Sequence, residues 1–449
     1  MDSLIIDCST PSGLFGWGIL FTNHADSNII RKCTISTDIS NITAYGAMGI
    51  VFNGAASLIT YGNAGSNGSY NTVTNCTING GEYGIYMYGG GSSNAGNKII
   101  NNNIQNFYRW GVYAAYQSPN LLISKNDISR HTRTNSYSLG GGVWLTDGCA
   151  NALVEKNRIH NCFDAMGANA AQWNGIFVNG AAPLGQETKI YNNLIYNMNG
   201  NGAIFGITNS NGSNMQAYHN TIIMDAPAPN ASDCYGLWQI GSIYTTGVSF
   251  KNNLVSVTRD GSGNRKCISV SIPTAVTLNN NAYYFNCPNS SDTNFASLNY
   301  VKYGTLAAWK LANAGSYDQL SALADPLFVN ASIADYTPSA PAINNIGANL
   351  GVATDISGVS RTINPDPGAY EFTIAACTNP PVAGIAIATI NDICPTKEFG
   401  LQLSGNSYGA GQTFQWQTSP NKSTWTNLGA ASTASQISNS QAANVPYFT

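Results

Sequence analysis

One pattern recurs along this chain and decides what it can fold into: an apolar residue, two spacers, an asparagine, one spacer and a second apolar residue. LISKNDI carries Ile123, Asn126 and Ile128, LVEKNRI carries Val154, Asn157 and Ile159, and KIYNNLI carries Ile190, Asn193 and Ile195. Asn102, Asn220, Asn253 and Asn281 occupy the same place in further copies, and Cys33 and Cys76 replace it in two more. A second motif alternates with the first, a small residue followed by an aliphatic one, as in WGILF, MGIVF, YGIYM, WGVYA, GGVWL, NGIFV, GAIFG, YGLWQ and KCISV. Steps within either series run mostly from about 24 to 36 residues, and a repeat of that size with loops of variable length marks a solenoid. The apolar units are short, β-branched and bounded by Gly and Asn, so they read as strands. Each coil is then several short strands, stacked in parallel on the next at about 4.8 Å. Asn suits the bends because it tolerates the left-handed backbone region. Its side chain also hydrogen-bonds up and down a stacked column.

Composition agrees with a β protein. Only 9% of the 449 residues are charged, well below the usual quarter, and the net charge of −3 gives no basis for bulk binding to nucleic acid or acidic membranes. No apolar run is long enough for a membrane-spanning helix. MDSLIIDCSTPSG lacks the basic and apolar regions of a signal peptide, while SLIID reads as a strand already inside a coil. The expectation is therefore an internal piece of a longer protein, whose missing export signal does not bear on location. No CxxC pair suggests a zinc ribbon. Cys33 and Cys76 stand in equivalent places, within disulfide reach if their coils are adjacent; buried stacked thiols satisfy the same spacing. Cys234, Cys267 and Cys287 are further candidate partners. Loop clusters of Asp and Asn are candidate Ca2+ sites, without an EF-hand or nonapeptide repeat.

After Tyr284 the repeat fades. A short helix is expected near YGTLAAWKLANAG, followed by Asp325, Pro326, Leu327 and Phe328, then Pro341, Ala342 and Ile343, then Asp366, Gly368, Ala369, Tyr370, Glu371 and Phe372. This series resembles the terminal segment of bacterial right-handed parallel β-helix proteins of the pectin-lyase-like fold. It departs from that pattern at Ala340, Asn344 and Pro367. The resemblance implies a cap over 285–372, which an exposed solenoid end needs. Beyond it, TFQWQTSPNKSTWTNL sets Trp416 in an alternating strand before a second Trp-bearing strand. Residues 373–449 resemble immunoglobulin-like modules of secreted Bacteroidota proteins, with Cys394 before the first core strand. The expected fold is all-β: a right-handed parallel β-helix of about nine coils over 1–284, a C-terminal cap over 285–372, and an incomplete Ig-like β-sandwich. The resemblance implies an extracellular or cell-surface protein.

Alternation within the second motif assigns faces. Ile19, Ile50, Ile85, Val112, Val143, Ile176, Ile204, Leu237 and Ile268 form an aliphatic column that must point inward. One residue further on, period two points Tyr86, Tyr113, Trp144, Phe177, Phe205 and Trp238 outward. The neighbouring glycines are expected to face outward too, leaving a shallow trough. Rings stacked at about 4.8 Å per coil would extend roughly 24 Å. Such a stripe suits the apolar faces of sugar rings in a polysaccharide or cell-surface glycan, or else the rings support one another or lie under a loop.

Charges cluster once, over 125–164. Arg130, His131, Arg133 and His160 follow the Asn bend, Lys125 stacks on Lys156, and Asp127 on Arg158. A lyase acting on uronates needs a base for the C5 proton and a cation for the carboxylate. Arg130, His131, Lys156, Arg158 and His160 are the candidates. A hydrolase needs two opposed carboxylates, for which Asp147 and Asp164 are the nearby loop pair. The same charges also read as a solvated face. Glycan binding without turnover and polysaccharide lyase or hydrolase activity are thus the two functions to separate. If the ligand is acidic, it is expected to cross the coils carrying Trp144 and Arg158.

Overall fold

The computed structural model describes residues 1–449 except 11–15, 55–66, 90–93, 227–231, 274–275, 375–381, 383, 389–397, 407–408, 410–411, 433–435, 441–446 and 449. Met1–Asp325 with Asn345–Glu371 forms one compact unit, and Pro326–Asn344 with Phe372–Thr449 forms a second.

The first unit is a parallel β-solenoid with three sheets. One coil shows the plan. A long strand, Trp110–Ala115, leads to a short strand, Leu122–Ser124. The chain then turns a corner at Lys125 and Asn126 into a second short strand, Asp127–Ser129, and runs on to the next long strand, Leu139–Leu145. Like strands of successive coils pair in parallel: Ile123 sits beside Ile99 and Val154, Ile128 beside Ile104 and Ile159, Val112 beside Ile85 and Val143. Among the described residues, the long-strand sheet and the sheet after the corner have eleven strands each, and the sheet before the corner has nine. The aliphatic column points inward as expected. Ile50, Ile85, Val112, Val143, Ile176, Leu237 and Ile268 are fully buried in one continuous core.

The corner divides the two duties assigned to asparagine between adjacent residues. The motif Asn is the ladder. Asn157 Nδ2 donates to Ile123 O at 3.0 Å and to Asn193 Oδ1 at 2.9 Å, while its own Oδ1 accepts from the backbone N–H and Nδ2 of Asn126, each at 2.9 Å. The same exchange runs from Asn102 to Asn281. The left-handed residue is the one before it: Lys32, Asn75, Asn101, Lys125, Lys156, Asn192, His219, Asn252 and Asn280 all have φ between 54° and 57°. Cys33 and Cys76 prolong the ladder as free thiols, with the Cys33 N–H donating to Cys76 Sγ at 3.4 Å. Cys234, Cys267 and Cys287 are likewise free and buried.

At its C-terminal end the ladder stops on Asp318 and Ser321, which receive Asn281 Nδ2 and the Asn281 N–H. Asp318 also accepts from Trp309 Nε1 at 2.7 Å and Tyr283 Oη at 3.0 Å. Trp309 is buried on the expected short helix, Leu306–Lys310, whose N-cap is Thr305. Residues 345–371 then return along the outside of the corner. Asn280 donates to Ile346 O, Asn252 to Ala348 O, Asn192 to Thr354 O and Lys156 to Thr354 Oγ1, while the Ala369 N–H donates to Thr221 Oγ1. This segment is a lateral strap as much as an end cap, and it uses the left-handed column as its track.

The second unit contains two small antiparallel sheets: Ile385–Ala388, Glu398–Ser404 and Gln436–Ser440 in one, Gln417–Ser419, Thr426–Asn427 and Tyr447–Phe448 in the other. Trp416 is buried beside Leu401, which fits an incomplete β-sandwich. Cys394 lies outside the described residues.

Two outcomes test this architecture. Asn157→Ala should cost about 3 kcal/mol, since it leaves buried backbone groups unpartnered, whereas Asn101→Gly should change stability by less than about 1 kcal/mol because glycine accepts the left-handed corner; chemical denaturation reads both. His219 sits under the strap, accepting from Asn252 Nδ2 at 2.8 Å through Nε2 and facing Asp366 O at 3.1 Å through Nδ1. Burial, aided by the Arg361 charge, holds its pKa well below the ordinary 6.5. The unfolded imidazole takes a proton that the folded one refuses, so this stability is present above about pH 6.5 and is lost as pH falls below it. Denaturation midpoints should drop between pH 8 and 5.5, and His219→Asn should flatten that slope.

Candidate functional site

The glycine of the second motif faces the core, not solvent. A Cβ on Gly111 would lie 2.5 Å from Ile128 Cγ2 and 2.8 Å from Gly142 O, and one on Gly142 would lie 2.5 Å from Ile159 Cγ2. The pairing register skips these residues: Trp110 pairs with Gly141 and Val112 with Val143. The strand bends there, and the alternation breaks with it. The residues on both sides of the Gly–aliphatic pair therefore turn outward, so the long-strand face carries two side-chain columns. The first runs Leu20, Val51, Tyr86, Tyr113, Trp144, Phe177, Thr208, Trp238 and Ser269. The second runs Trp17, Met48, Tyr83, Trp110, Gly141, Asn174, Phe205, Tyr235 and Lys266. Phe205 is thus displaced from its expected place, which Thr208 fills: the repeat unit of that coil is Gly206–Ile207, where the sequence reading took Ala203–Ile204. The second column was legible in the residue before each glycine, which is Trp17, Met48, Tyr83 and Trp110 in the first four coils.

The rings fall into two groups. Tyr86 and Tyr113 stack with centroids 4.9 Å apart, and Tyr113 meets Trp144 edge-on at 5.0 Å. With Met48, Val51, Tyr83 and Trp110 they form an apolar cluster separate from the core, against which Tyr45, Tyr116 and Leu139 pack. Tyr86 and Tyr113 are consequently buried, whereas Trp144 and Phe177 remain half-buried. Asn174 and the buried Thr208, hydrogen-bonded at 2.8 Å, interrupt the stripe. Beyond them Phe205, Tyr235 and Trp238 pack together with centroids 4.4–5.4 Å apart.

The half-buried Trp238 forms one wall of a cleft of ≈480 Å³ that also takes in Tyr235, Ser269, Ser297, Asn264 and Lys302. Ser297 Oγ donates to Ser269 Oγ at 2.9 Å, and Lys302 Nζ to Asn264 Oδ1 at 2.9 Å. Lys266 is buried against Asp292, which also faces Lys302 at 3.4 Å. The antiparallel strand Val301–Tyr303 pairs with Ala296–Leu298 and ends the long-strand sheet beside this cleft. An aromatic wall with hydroxyl, amide and ammonium groups opposite can pack an apolar sugar face and hydrogen-bond its rim.

The candidate catalytic residues do not converge. Arg130 is buried, donates to Asn135 O, and lies over the rings of Phe163 and Trp173 at 4.9 and 5.7 Å. Burial pushes its guanidinium down to about 10, still cationic at neutral pH. Arg133 is buried as well, donating to the carbonyls of Gly81, Asn106 and Asn41. Both arginines hold loops in place. His131 is exposed, and its Nδ1 lies 3.4 Å from Ser129 Oγ. Lys156, Arg158 and His160 stand on or after the asparagine corner. His160 meets Asp127 Oδ1 at 3.0 Å and stacks on Tyr196 at 4.7 Å, while Arg158 donates to Tyr370 Oη at 3.2 Å. Trp144 belongs to the long-strand sheet and Arg158 to the sheet after the corner, so a ligand lying along one face does not touch both. Asp147 follows the long strand Leu139–Leu145, and Asp164 lies on a 3-10 turn, Asp164–Met166, before the next long strand, Gln172–Val178, so the two leave the long-strand sheet from opposite ends. A hydrolase pair needs less than about 10 Å. For Ca2+, no group of three or more His, Cys, Asp or Glu converges among the described residues.

Residues 17–222 match the family described as right handed beta helix region. No curated protein matches the chain. Among solved structures, the chain is similar to one titled as XylC in complex with xylose, at 11% identity and a TM-score of 0.39, covering 78% of this chain and 60% of that one. It is also similar to the catalytic unit of a thermostable GH87 α-1,3-glucanase from Streptomyces thermodiastaticus strain HF3-3, at 12% identity and a TM-score of 0.21, covering 69% and 61%. The chain thus spans about three fifths of each, and likenesses this distant support no residue-by-residue comparison.

Because Arg130 packs on rings and a carbonyl, Arg130→Ala should lower stability by about 2–4 kcal/mol through lost packing, as chemical denaturation will show.

Proposed function

We propose that this β-solenoid binds polysaccharide on its long-strand face without turning it over, as part of an extracellular or cell-surface protein whose second unit is an incomplete immunoglobulin-like module. The observation that carries the reading is the Trp238 cleft, where a half-buried indole faces Ser269, Ser297, Asn264 and Lys302. Trp144 and Phe177, also half-buried, extend the platform toward the N-terminal coils. Tyr86 and Tyr113 support it from within the apolar cluster and do not touch ligand. Polysaccharide lyase or hydrolase activity is the second reading, and the scatter of Arg130, His131, Lys156, Arg158 and His160 over different surroundings counts against it. A glycan array followed by titration tests the proposal. Trp238→Ala should weaken binding by about 1–2 kcal/mol, the contribution of an aromatic contact with its buried area, with little loss of stability. Normal binding by that variant overturns the platform. Unsaturated product absorbing near 235 nm, or new reducing ends, would establish an enzyme instead.

A further inference from the structure

The asparagine corner holds a second cleft, on a different face from the aromatic columns. It measures ≈260 Å³ and is lined by Lys125, Asn126, Asp127, Lys156, Arg158, Ile356 and Ser357. Three cations and one carboxylate meet there, on a chain whose net charge is −3. Asp127 and Arg158 are paired neighbours in adjacent strands and would be expected to form an ion pair. They turn apart: Asp127 reaches His160 at 3.0 Å and Arg158 reaches Tyr370 at 3.2 Å, and the gap between them is the cleft. Glu155 accepts from Ser124 Oγ at 3.1 Å, and the buried Asp355 accepts from the backbone N–H groups of Ser357, Val359 and Glu371. Among the described residues no carboxylate lies within ion-pair distance of Lys125, Lys156 or Arg158, whereas Arg31, Arg109, Lys266, Lys302 and Arg361 all have such partners. Burial holds the Lys156 ammonium below its ordinary range, against the pull of the Glu155 and Asp355 charges and with the Lys125 and Arg361 charges adding to the fall.

We propose that this cleft binds a tetrahedral oxyanion, sulfate or phosphate, either free or as an ester on a saccharide. Lys125 lies on one coil, Lys156 and Arg158 on the next about 4.8 Å away, and Ser357 on the strap. These groups line the cleft from different elements. A tetrahedral anion offers oxygens in several directions, while a carboxylate offers two in one plane. The strap completes the site, since Tyr370 steers Arg158 and Thr354 steers Lys156.

Calorimetric titration of the full chain at low salt with sodium sulfate and with inorganic phosphate tests this. Saturable binding is expected, weakened roughly tenfold or more by Lys125→Gln and by Arg158→Gln, as for loss of one charge-assisted hydrogen bond. Lys98→Gln, an exposed lysine on the sheet before the corner, should change nothing. Lys125 is exposed and its only hydrogen bond to the next coil among the described residues is through its backbone N–H, to Glu155 O, which glutamine keeps, so its variant remains informative if Arg158→Gln loosens the strap. An O-sulfated oligosaccharide binding more tightly than sulfate identifies an ester as the source, and equal binding identifies the free anion. No binding of either anion, binding indifferent to both substitutions, or galacturonate bound as tightly as sulfate overturns the proposal.

Discussion

The hydrogen bond from one ladder asparagine to the next carries the architecture. A parallel solenoid must turn a sharp corner in every coil, and each corner exposes an N–H and a C=O that the strand ladders cannot reach. The Asn157 amide serves both, donating to a carbonyl of the preceding coil while accepting the N–H of Asn126. Because the same side chain also joins the next amide in the column, coil spacing and corner position are set together. Buried amides with every group satisfied are worth far more than solvated ones. The chain can therefore vary its loop lengths between corners without losing register.

The corner also shows why the fold was legible and where reading stopped. Ladder residues need two donors and an acceptor at one place in a repeat, so Asn126, Asn157 and Asn193 declare themselves by spacing. The left-handed residue before them needs only a tolerable backbone, so it varies among Asn, Lys and His, and its role emerges only from φ. The strap was half visible. Its end motif from Asp366 to Phe372 predicted something that finishes a β-helix, but no periodicity reveals that residues 345–371 run back along the corner. Those contacts pair residues far apart in sequence, such as Thr221 with Ala369 and Asn192 with Arg361.

Site prediction failed at glycine for a physical reason. Strict alternation assumes an unbroken strand, yet the glycine column bends each long strand where its backbone meets the isoleucine of the neighbouring sheet. One misplaced residue per coil then changes which side chains face out. Tyr83, Trp110 and Tyr235 were missed on this account, and in the coil of Gly206 the frame slipped to Ala203. Arg130 stands among the candidates for another reason. In a chain with so few charges, a cluster looks functional by contrast, but guanidinium groups can also be sequestered among carbonyls and rings, where they hold loops in place.

Two columns of rings on one face have opposite consequences along its length. Where aromatic neighbours follow one another in both columns, as from Tyr83 and Tyr86 to Trp110 and Tyr113, the rings satisfy each other and exclude ligand as effectively as they exclude water. Recognition requires an interruption that leaves a ring with an unmatched face and brings polar groups beside it. Trp238 has that position. It packs on Phe205 and Tyr235 on one side but is followed in its own column by Ser269 and Ser297 and in the neighbouring one by Lys266, so the stacking ends at its ring and hydroxyls take over. In the proposed platform, the stretch from Tyr86 to Tyr113, with the densest stacking, is therefore support, and the sparse C-terminal coils are the contact surface. The length of an aromatic stripe is then sheet support, and under the proposed function its breaks are where a sugar would sit.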